Sequence, residues 1–157
     1  MSLVNAINQW SCVLACIVSI CNDKGIQVTQ ESIINNYKKD FPHWNTQPGL
    51  LNDQDTLKLV GRLNLASPNK SKIEEMASED YFRKQLSEND TVGILIGTHK
   101  FYGPSEKIID CRHCLRLLKI VDDNFYLMNP SILPIKEEEY KWEDIKSFDA
   151  TAIVLKS

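Results

Sequence analysis

The run CVLACIVSIC, Cys12 to Cys21, contains one polar residue, Ser19. Asn22-Asp23-Lys24 closes it, and Gly25 supplies a natural helix stop. The spacing predicts a helix over 11–22 with no polar stripe, and such a helix must be buried on every side. It therefore has to lie at the centre of a domain. The run is too short to cross a bilayer, and no basic stretch precedes it as in a signal peptide.

A chain of 157 residues is long enough to bury such a helix within one domain. A net charge of −3 gives no general pull toward nucleic acid or anionic membrane. Five cysteines, an odd number at irregular spacing, argue against a disulfide framework and for reduced thiols. The expected compartment is a cytosol, either the producer's own or that of a target cell.

The rest of the first half reads as helical. TQESIINNYKKDF forms a second helix with Thr29 as N-cap and Ile33, Ile34 and Tyr37 on one face. HWNTQPGLLN is a loop with turn chemistry at Pro48-Gly49. DQDTLKLVGRLN predicts a third helix with Leu57, Val60 and Leu63 inward, and SEDYFRKQLSEN a fourth capped by Ser78.

The second half reads as strands. TVGILIG is a short buried strand, and RHCLRLLKIV-DD-NFYLMNP has the form of a hairpin around an Asp-Asp-Asn turn, ended by Pro130. KWEDI is a helical turn and ATAIVLK a last strand. The expected fold class is α+β, with a central buried helix packed on a C-terminal antiparallel sheet. The charged runs KEEEYKWEDIK and NKSKIEE read as solvated turns. The loop 98–110 reads equally as a cleft wall offering Phe101 and Tyr102 to a substrate, or as plain surface.

Cys12 stands at the mouth of the apolar helix, next to Asn8, Gln9 and Ser11. A helix N-terminus favours a thiolate, and the amides of Ser11 and Cys12 are placed to hold an oxyanion. Cys16 and Cys21 lie inside the apolar run and fit the commoner role of small core residues. A thiolate catalyst needs a base, and the base an orienting group. His113 opens the hairpin and Asn129 closes it. A straight ladder turning near Asp123 would pair Asn129 with Leu117, four residues from His113, a gap of about 13 Å at ~3.3 Å per residue. Twist, a bulge or curling at Pro130 has to close it. His43 and His99 are rival bases in aromatic loops, where packing or surface roles suit them. Cys111-x-x-Cys114 admits a zinc site with His113 and Cys12 or Cys16, while the β-like run after it argues against thioredoxin chemistry.

Three segments, QWSCVLACIVSICNDKGIQVTQESI, RHCLRLLKIVDDNFYLMNPS and YKWEDIKSFDATAIVLK, together resemble the papain-like cysteine peptidases. The nearest likeness is to the compact bacterial branch that processes bacteriocins at double-glycine sites. The resemblance covers most of the chain, with residues 43–90 contributing least. It implies a papain-like α+β domain over residues 1–157, whole or excised from a larger chain. It further implies a cysteine peptidase or related hydrolase with Cys12 as nucleophile, His113 as base, Asn129 as its orienter and Gln9 as oxyanion donor. Trp10 and Tyr102 would contact substrate. The family's oxyanion glutamine lies about six residues before the cysteine, where this chain has Ala6, so Asn5 and Asn8 stand as alternatives to Gln9. The substrate would be a peptide or protein, with no metal or other cofactor, no membrane and no nucleic acid. A toxin or effector using the fold for deamidation, transfer or nucleic-acid cleavage, with an inhibitor or immunity protein as partner, is the alternative, as is a non-catalytic peptide-binding module.

Overall fold

A computed structural model describes residues 2–100, 113–130, 135 and 137–157. The apolar run is helix α1, Cys12–Asp23, whose residues Val13 to Cys21 are all buried. It is enclosed because two layers cover it. On one side lie α2, Gln30–Tyr37, and α3, Asp53–Arg62; on the other lies a sheet. Thr29 caps α2 through Ser32 N–H, and Asn52 caps α3 through Asp55 N–H. The buried face of α3 is Thr56, Leu59 and Val60, so Leu59 takes the innermost place expected of Leu57 and Leu63, which are only partly buried.

Among the described residues the sheet has six antiparallel strands, β1 Lys72–Glu74, β2 Thr91–Thr98, β3 His113–Val121, β4 Asn124–Met128, β5 Glu137–Lys141 and β6 Thr151–Lys156. Their spatial order is β1-β6-β2-β3-β4-β5. α4, Glu79–Ser87, and α5, Trp142–Ser147, pack on the face away from α1, where Phe82, Ile145 and Phe148 meet Ile94, Ile96, Leu115 and Phe125. The chain is therefore α+β, with helices on both faces of the sheet. Burial on both faces explains why β2 and β3 read as continuous apolar runs rather than as alternations.

Two expectations are corrected. NKSKIEE contains strand β1, which pairs Ile73 with Ile153, and KEEEYKWEDIK contains β5 followed by α5 rather than a solvated turn. The hairpin turn is also shorter than expected. Asn124 already pairs with Val121, leaving Asp122 and Asp123 as the loop, with Asp122 at φ 53°. Left-handed backbone suits aspartate better than most residues, as a two-residue hairpin requires.

Two contacts fix α1 on β3. Cys16 Sγ lies 3.9 Å from the Cys114 carbonyl oxygen, and Arg116 Nη1 donates to Ser19 Oγ at 2.6 Å and to Asp23 Oδ2 at 2.7 Å. Both elements thus advance in the same direction. Cys12 precedes Cys16 by one turn, about 6 Å of helix, and His113 precedes Cys114 by one residue. The two candidate residues lead their elements at the same end of the layered pair.

Candidate active site

The segment before α1 is folded by its own polar side chains. Ser11 Oγ accepts from the N–H groups of Ile7 at 3.0 Å and Asn8 at 3.3 Å, and Asn8 Oδ1 accepts from Trp10 N–H at 2.8 Å. Ser11 therefore turns away from α1 and provides no side-chain cap, and no acidic residue stands in the first turn. α2, α3 and α4 each have both a side-chain cap and first-turn acids. The N-terminus of α1 thus carries neither a side-chain cap from Ser11 nor an acid in its own first turn, and a helix N-terminus favours an anion.

Cys12 is half-buried and lines a cleft of about 380 Å³ with Trp10, Val13, Leu50 and Leu51 as apolar walls. His43, Gln47, Asn52 and Asp55 complete the lining. The far wall is built by the loop predicted at Pro48-Gly49, preceded by a 3-10 turn, Pro42–Asn45. Trp44 Nε1 donates to the Leu50 carbonyl at 2.7 Å. His43 Nε2 lies 2.7 Å from the same oxygen, so that nitrogen bears hydrogen and donates, with Asp55 Oδ2 at 3.6 Å. Asn8 Nδ2 donates to Pro48 O at 2.9 Å and ties this wall to the segment before Cys12. His43, whose expected place was surface or packing, thus sits in the same cleft as Cys12.

The gap across the hairpin is narrowed by one residue through the tighter turn and by one more through a bulge, which also brings Asn129 to the face of His113. Arg116 pairs with Met128 and Leu117 with Leu127, but the next pair is Lys119 with Tyr126, so Leu118 is an extra residue in β3. One step beyond Arg116–Met128, the register sets Asn129 opposite Leu115. Asn129 is then the diagonal neighbour of His113 on the same face, a separation long side chains span. His113 Nε2 lies 2.5 Å from Asn129 Oδ1. Bulges commonly re-aim side chains in this way.

The chain of hydrogen bonds continues. Asn129 Nδ2 donates to Glu138 Oε1 at 2.9 Å, and Tyr140 Oη donates to Glu138 Oε2 at 2.6 Å. Glu138 belongs to the charged run expected as a solvated turn, and its place beside Asn129 comes from the pairing of β5 with β4. The available signal was the alternation of Glu138 and Tyr140 with the exposed Glu137 and Glu139, a period of two that marks a strand with one covered face. Burial pulls the His113 imidazole below its ordinary 6.5, against the Asn129 bond and the Glu138 charge, which pull it up. Burial first, then the bond to Glu138, pushes the Tyr140 phenol far above its ordinary 10, so it remains a donor.

The other site candidates separate. Gln9 is exposed in the loop before α1 and is not among the residues lining the cleft. Asn8 uses both ends of its amide to hold loops. Asn5 gives its carbonyl to Gln30 Nε2, and its Oδ1 is buried without a hydrogen-bond partner among the described residues. Cys16 and Cys21 are core residues, and burial pushes the Cys21 thiol up to about 11. Tyr102, Phe101 and Cys111 lie outside the described residues. Among the described residues no three side chains of metal-binding type cluster to hold an ion. No family model and no curated protein matches this chain.

Proposed function

We propose that this protein is a papain-like cysteine hydrolase that cleaves a peptide or amide bond through a Cys12 thioester. The observation that carries the reading is the hydrogen bond between His113 and Asn129, sixteen residues apart and aligned by a bulge at the end of the sheet where α1 begins. With Nε2 bonded to Asn129, the ring exchanges a thiol proton through Nδ1. The Cys12 thiolate adds to the substrate carbonyl carbon. The resulting oxyanion is held by the leading amides of α1; Gln9, exposed and outside the lining of the cleft, would have to turn inward to add a side-chain donor. The C–N bond breaks as the imidazolium protonates the leaving amine, and water then hydrolyses the thioester with His113 as base. The apolar walls beside Cys12, Trp10 among them, receive an apolar side chain of the substrate.

Strand alternation sets His113 with Leu115 and Leu117, on the face away from α1, whereas Cys114 turns toward it. The imidazole would therefore meet the thiol around the N-terminal end of β3. His43 supports a second assignment of the base, because it shares the cleft with Cys12. Iodoacetamide labelling near neutral pH, mapped by mass spectrometry, decides between them. Cys12 should label about tenfold faster than a model thiol, as expected for a thiol of lowered pKa. His113→Ala should abolish the excess and His43→Ala should leave it. The reverse pattern would transfer the base role to His43. Labelling no faster than a model thiol would sink the hydrolase reading and favour a non-catalytic peptide-binding module. An activated pair without peptidase activity would point to deamidation or transfer, in a toxin or effector.

A further inference from the structure

We propose that Glu138 is a positioning residue for His113, acting through Asn129 to hold the imidazole in the tautomer with hydrogen on Nε2 and a basic Nδ1. The inference rests on the reading of His113 as the base, yet it can be measured without turnover.

Three strands build the arrangement. Asn129 is the diagonal neighbour of His113 across β3 and β4. β5 pairs Leu127 with Glu138 and Met128 with Glu137, so Glu138 is in turn the diagonal neighbour of Asn129. His113, Asn129 and Glu138 form one oblique line on one face of the sheet, with Tyr140 two residues beyond Glu138.

Direction along this line follows from donor inventory. A primary amide has two faces of nearly equal shape, one donating and one accepting. Alone beside His113, Asn129 would satisfy either tautomer by turning over. A carboxylate only accepts. Glu138 has Oε1 at 2.9 Å and Oε2 at 3.5 Å from Asn129 Nδ2, so the amide nitrogen must face it. A turned amide would set oxygen against oxygen at that distance. Oδ1 is thereby committed to His113, and Nε2 must donate. Tyr140, itself buried, holds the carboxylate from its other side. Neutral imidazole then has its lone pair on Nδ1, the only nitrogen left to take a proton from a thiol.

The test reads the ring nitrogens of His113 by two-bond proton–nitrogen correlation on the labelled full chain. Cys12→Ala is the background, so that no thiolate holds the ring doubly protonated. At about pH 8, above the ordinary imidazole range, His113 should show a pyrrole-type Nε2 and a pyridine-type Nδ1. Glu138→Gln replaces an obligate acceptor with a group that can also donate, and the signals should move toward a mixture of tautomers. Tyr140→Phe, which leaves the carboxylate in place, should keep the single tautomer. With Cys12 restored, Glu138→Gln should slow its alkylation on the order of tenfold, as losses of supporting hydrogen bonds commonly do.

A hydrogen on Nδ1 in the parent chain would overturn the proposal, and that measurement needs no variant at position 138. An unchanged single tautomer in folded Glu138→Gln would overturn it equally. If the tautomer is held while Cys12 alkylates no faster than a model thiol, the positioning role stands and the hydrolase reading fails.

Discussion

A methyl group added at Gly93 tests how α1 is seated on the sheet. A Cβ there would lie 2.4 Å from Ile20 Cδ1 and 3.0 Å from Ile20 Cγ1, and Ile20 is fully buried. Two effects oppose each other. Gly→Ala restricts the unfolded chain and contributes about 0.4–1 kcal/mol of stability where the backbone is compatible. Overpacking a buried contact costs about 1–3 kcal/mol. The clash is with the branched side chain of a helix held on its other side by α2 and α3, so overpacking should win and Gly93→Ala should destabilise by about 1–2 kcal/mol. Ile20→Val removes the Cδ1 atom and by itself costs about 0.5–1.5 kcal/mol. In the double variant the closest contact is gone, so its stability should match that of Ile20→Val or exceed it slightly. Urea unfolding of the four proteins gives the coupling, expected at about 1–2 kcal/mol in favour of the pair. Ile20 lies two turns from Cys12, so the alkylation rate of Cys12 should change little in the folded variants. Additivity within about 0.5 kcal/mol, or a stabilised Gly93→Ala, would refute the close packing of α1 on β2.

Two further perturbations probe the same seat. Arg116→Met removes the guanidinium shared by Ser19 and Asp23. Breaking a buried pair costs about 3–5 kcal/mol, and because Asp23 keeps some water and the Ser2 N–H, chemical denaturation should register about 2–3 kcal/mol. Burial alone would push Asp23 up, but the Ser2 N–H and Arg116 hold its carboxyl below its ordinary 3.8. Its contribution is therefore present above 3.8 and lost as pH falls through the lowered value, so acid unfolding should be less steep in Arg116→Met. Gly49→Ala places a side chain at φ 88° and sets its Cβ 3.2 Å from Ser11 Cβ and 3.3 Å from Leu14 Cδ2. Left-handed strain and this squeeze should together cost about 1–3 kcal/mol in a melt, and the cleft wall should shift enough to alter the labelling rate of Cys12.

Much of this protein was decided locally. The absence of a polar stripe made α1 central, Thr29 and Ser78 marked helix starts, and apolar runs on either side of Asp122-Asp123 made a hairpin. Cys12, His113 and Asn129 stood out as candidates for the same reason, since each stands at the end of an element whose period can be read from its neighbours. The tertiary structure decided what depends on partners distant in sequence. Leu118 is extra in β3 because Leu117 and Ile120 must face one core and Leu118 the other, and only the pairing with β4 reveals that. Glu138 looked like one acid in a solvated run until β4 supplied an edge to pair with, and His43 entered the cleft because Asn8 and Pro48 draw its loop against α1. Periodicity reports the face a residue takes within its own element. Register, bulges and the meeting of loops depend on how faces from separate elements fit, and that fit is settled by packing across the whole domain.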